Sequence, residues 1–151
     1  MKNVAFVTYN TVGDDLSSGW HGSNGRRALI LQRVNGDGRR SSGSKLSPDA
    51  RRDEIGTLWG QLQEALLELD HVVVYVGARG SEHAIALAAQ LPAAKVTFVG
   101  CDCGLSHKEA LVQAAGMADA RRMLCECGGH RTMSALFESF METGELLPVA
   151  E

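Results

Sequence analysis

The chain has 151 residues, 44% of them apolar and 22% charged, with a formal net charge of −3. Those proportions predict one globular domain over 1–151, large enough to bury a core without disulfide or metal staples. They exclude a membrane-spanning helix, because no apolar run approaches the roughly 18 residues that a span needs.

The start, Met1-Lys2-Asn3-Val4, leads into a strand pattern and carries no signal-peptide core. The expected location is therefore cytoplasmic. Thiols stay reduced in that compartment, so the four cysteines read as metal ligands, reactive thiols or small buried residues.

Charge is unevenly spread. From Arg26 to Arg52 eight basic residues face two acidic ones, whereas from Asp53 onward fourteen acids face six bases. A basic tract on an acidic protein points to an anionic partner: a nucleotide, a phosphorylated metabolite or nucleic acid. The competing reading is a solvated loop whose arginines pair with the protein's own surface.

In chain order, residues 3–9 predict a buried first strand. Residues 10–25 read as a glycine- and serine-rich loop carrying Asp14, Asp15, Trp20 and His21, and 10–47 as one flexible Gly/Ser/Arg-rich region. Its glycines match neither a P-loop nor a dinucleotide fingerprint. Within it, residues 26–35 fit a strand or a short helix equally well. Ser47-Pro48-Asp49 is a strong helix start, with a capping serine, proline in the first position and an acid in the first turn. Ile55, Leu58, Trp59, Leu62, Leu66 and Leu69 follow as one apolar stripe, which makes Trp59 a core residue.

Thereafter strands at 72–76, 96–100 and 121–125 alternate with helices near 81–91, 107–115 and 131–143. Ser106 and Glu109 form a capping box for the middle helix, and Gly144 stops the last. Such alternation predicts an α/β three-layer sandwich, with a mainly parallel sheet of four to five strands. In architecture it is Rossmann-like. Ligands of such sheets sit outside the carboxyl ends of the strands.

One phrase occurs twice at those ends. Cys101-Asp102-Cys103-Gly104 is followed by His107, and Cys125-Glu126-Cys127-Gly128 by His130. A looser relative, Gly77 to His83, follows the strand at 72–76. Neighbouring strands lie about 5 Å apart, so adjacent phrases would meet.

Three chemistries compete for this edge. Cys101, Cys103, Cys125 and Cys127 would form a thiolate site for Zn²⁺ or an iron–sulfur cluster, although Cys-x-Cys is tighter than the usual zinc spacing. Asp102 and Glu126 would instead hold Mg²⁺ or Mn²⁺ for phosphodiester hydrolysis, with Glu82 or Asp14 nearby and His107 and His130 as acid–base groups. Or the edge only binds an anion. The helix N-termini opened by Ser81 and Ser106 would then act beside Arg79, Lys108 and Arg131, with Asn10, Glu82 and His83 lining the pocket. A cysteine nucleophile at Cys103 or Cys127 fits less well, because Glu126 would repel phosphate.

The reading that needs fewest special features is a domain binding a nucleotide or other phosphorylated ligand, with hydrolysis as an extension. The alternatives are a thiolate metal or redox module and a non-catalytic interaction module that meets nucleic acid through Arg26–Arg52. A sheet domain of this size is also expected to pair as a homo-oligomer.

Overall fold

The computed structural model describes residues 1–8, 16–32, 48–76, 86–87, 89–100, 124–125 and 129–146. Six strands form one sheet: β1 (Asn3–Val7), β2 (Gly19–Ser23), β3 (Arg26–Leu31), β4 (His71–Val76), β5 (Val96–Gly100) and β6 (Leu124–Cys125). Among the described residues two long helices accompany them, α1 (Pro48–Ala65) and α2 (Gly129–Thr143). The strand order is β2-β3-β1-β4-β5-β6. Every pairing is parallel except the edge pair β2–β3. The fold is thus α/β on a mixed sheet, one edge strand richer than the expected four to five.

The central strands read as unbroken apolar runs because both of their faces are covered. Side chains alternate along each strand. Ala5, Val7, Leu29, Leu31, Val72, Val74, Val96 and Phe98 therefore pack against Leu58, Trp59, Leu62 and Ala65 of α1. Val4, Phe6, Ala28, Ile30, Val73 and Val99 pack against Met133, Leu136 and Phe140 of α2. Trp59 is 5% exposed, the core position its spacing predicts. The ring of Phe6 meets Phe137 edge-on at 5.7 Å between centroids, a geometry that adds roughly 1 kcal/mol beyond burial.

The region 10–47 contains more order than its composition implies. Gly19–Ser23 and Arg26–Leu31 form a hairpin whose two-residue turn is Asn24-Gly25. Both turn residues have positive φ, 54° and 77°, as type I′ turns require. The ambiguous stretch after Arg26 is therefore a strand. Its run Ala28-Leu29-Ile30-Leu31 is buried on both sides of the sheet, which a helix of that length would not achieve.

The amino edge of the sheet is tied down by polar contacts. Asp70 Oδ2 accepts the N–H groups of Lys2 and Asn3, each at 3.0 Å, and Asn3 Nδ2 donates to Glu68 O at 2.9 Å. His71 Nε2 and Thr97 Oγ1 form a buried hydrogen bond of 2.7 Å. Arg26 Nη1 donates at 2.8 Å to Met141 O, near the C-terminal end of α2. The last turn of α2 closes with Gly144 N donating to Phe140 O, at a positive φ of 79°. Glycine ends this helix where the sequence places its stop.

Candidate functional site

Five parallel strands, β3, β1, β4, β5 and β6, bring their carboxyl ends to one edge. Val76 pairs with Gly100, and Gly100 with Cys125. The strands preceding the three expected phrases are thus neighbours and end level with one another. Antiparallel to them, α2 has its C-terminal end beside Arg26 at the amino edge, so its N-terminus starts on the carboxyl side. His130 and Arg131 occupy the first turn of α2, where backbone N–H groups are unpaired and positive potential collects.

Of the expected site residues, Cys125 is the last residue of β6, and His130 and Arg131 open α2. Asn10, Arg79, Ser81, Glu82, His83, Cys101, Asp102, Cys103, Ser106, His107, Lys108, Glu126 and Cys127 lie outside the described residues. So do Asp14 and the expected middle helix at 107–115. Among the described residues no group of three or more His, Cys, Asp or Glu side chains is placed to hold a metal ion. No helix among them is long and apolar enough to cross a membrane.

Two polar residues at this edge escape a motif search. Thr8, just past β1, is 2% exposed, and its N–H donates to Leu31 O at 2.9 Å. Gln32, just past β3, is equally buried. Its Nε2 donates to Leu16 O at 2.6 Å, and its own carbonyl accepts from Ser18 Oγ at 3.2 Å. Gln32 thus pins the segment that enters β2 against the carboxyl end of β3. The cue in the sequence is a single polar residue closing an apolar run, Phe6-Val7-Thr8 and Ile30-Leu31-Gln32. A buried side-chain amide is retained only where its hydrogen bonds are made.

The basic tract divides. Arg26 is committed to the α2 carbonyl, and the Arg27 guanidinium lies 3.9 Å from the centroid of the Trp20 ring. These two arginines serve the fold itself. The side chain of His21, another residue of the expected loop, donates from Nε2 to Ser17 O at 2.7 Å and meets Phe137 edge-on. These contacts tie the hairpin to α2.

No protein-family model, curated protein or solved structure matches this chain.

Proposed function

We propose that the protein binds a nucleotide or another phosphorylated anion at the carboxyl edge of its sheet. The observation that carries this reading is the register Val76–Gly100–Cys125, which levels the ends of β4, β5 and β6. Three strands that end side by side start their following segments from one place. The segments after β4 and β5 carry Arg79 and Lys108, and the first turn of α2 carries Arg131, to neutralise phosphate, with Ser81, Glu82, His83 and Ser106 in the same segments. Asn10 follows β1, the neighbour of β4. The α2 N-terminus adds free N–H donors.

The strand order supports the same location. β1 connects outward to β3 on one side, and the chain then crosses to β4 on the other. Sheets wound in both directions, as in Rossmann-like three-layer domains, take their ligands where the direction reverses. A helix on each face, α1 and α2, is in keeping with that architecture.

In the catalytic form of the proposal, Asp102 and Glu126 hold Mg²⁺ or Mn²⁺ and His107 or His130 moves a proton during phosphodiester cleavage. Glu126→Gln then abolishes turnover while thermal stability stays unchanged, and an active Glu126→Gln protein removes this form. The binding form is tested by calorimetry against mononucleotides, cyclic nucleotides and short oligonucleotides. Saturable heat with one class supports it, and heats no larger than dilution for all of them defeat it.

A second reading draws on the same register. Gly100 pairs with Cys125 and directly precedes Cys101, so the two Cys-x-Cys phrases start at adjacent strand ends. A thiolate site for Zn²⁺ or an iron–sulfur cluster would show as stoichiometric metal in protein purified anaerobically without chelator, lost in the Cys103→Ser, Cys127→Ser double variant. Metal-free protein leaves the cysteines as small buried residues and returns the edge to the anion.

A further inference from the structure

We draw no further inference here: the strongest candidate, the Trp59 indole N–H buried between α1 and the sheet with no hydrogen-bond partner among the described residues, carries nothing, because the groove between α1 and the β2–β3 hairpin is lined without it and nothing in the structure shows what would meet it.

Discussion

At the amino edge of the sheet, Asp70 gathers the N–H groups of Lys2 and Asn3, His71 bonds Thr97, and Arg26 reaches the end of α2. At the carboxyl edge, β4, β5 and β6 end level, and the sequence that follows them is rich in Cys, His, Asp, Glu and Arg. On the proposed function, the two edges differ in what their polar groups are for. Polar side chains at the first join elements to one another and so add to stability. Those at the second follow strand ends, where parallel sheets place their ligand-binding loops. Substitutions at the amino edge should therefore lower stability and spare binding, and substitutions in the segments that follow β4, β5 and β6 should do the reverse.

His71→Ala should show the largest effect at the amino edge. It leaves a small cavity and strips the buried Thr97 hydroxyl of its His71 partner, a combination that costs about 2–3 kcal/mol in urea denaturation. Unchanged ligand binding alongside that loss sharpens the contrast between the edges, and a lost ligand would blur it. Gly144→Ala comes next. The residue sits at a φ of 79°, and a Cβ there would lie 2.8 Å from Arg26 Nε. The left-handed backbone alone costs about 1 kcal/mol, and shifting the Arg26 side chain loosens its bond to Met141 O. A midpoint that does not move would show that this cap contributes nothing.

The smallest effect is electrostatic. The backbone N–H groups of Asn3, and then of Lys2, hold the Asp70 carboxyl below its ordinary value of 3.8. A depressed carboxyl stabilises the fold above the unfolded value, and that contribution disappears as pH falls through the folded one. Because Asp70 is exposed, solvent screening limits it to about 0.5 kcal/mol. Asp70→Asn should therefore lower stability slightly at pH 7, and the gap from the parent should close as pH falls below the ordinary carboxyl value of 3.8 and through the lower folded one. A gap that persists in acid would assign the effect to packing instead.

Much of this architecture is legible in the residues. The stripe Leu58-Trp59-Leu62-Leu66 and the run Val72-Val73-Val74 specify a helix and a buried strand, and both are present. The hairpin leaves a fainter trace in the sequence. Gly19-Trp20-His21-Gly22-Ser23 has neither alternation nor branched residues, because an exposed edge strand needs no buried face. Its one signal is Asn24-Gly25, a turn dipeptide easily lost among the other glycines of the region. The position of the candidate site follows from the strand–helix alternation, which predicts a mainly parallel sheet with ligands outside its carboxyl ends. Its chemistry does not follow. Two Cys-acid-Cys phrases are equally apt for soft and hard ligands, and only contacts between loops choose between thiolate and carboxylate coordination.

The most direct test is calorimetry of the nucleotide panel on the parent chain and on an Arg79→Ala, Lys108→Ala, Arg131→Ala variant, with thermal unfolding measured in parallel. If the carboxyl edge holds phosphate, one nucleotide class gives saturable heat on the parent. The variant loses it by about a hundredfold, as removing several charge-assisted contacts predicts, and unfolds at the same temperature. A parent that binds no phosphorylated ligand, or a variant that binds as tightly as the parent, would contradict the division of labour between the two edges.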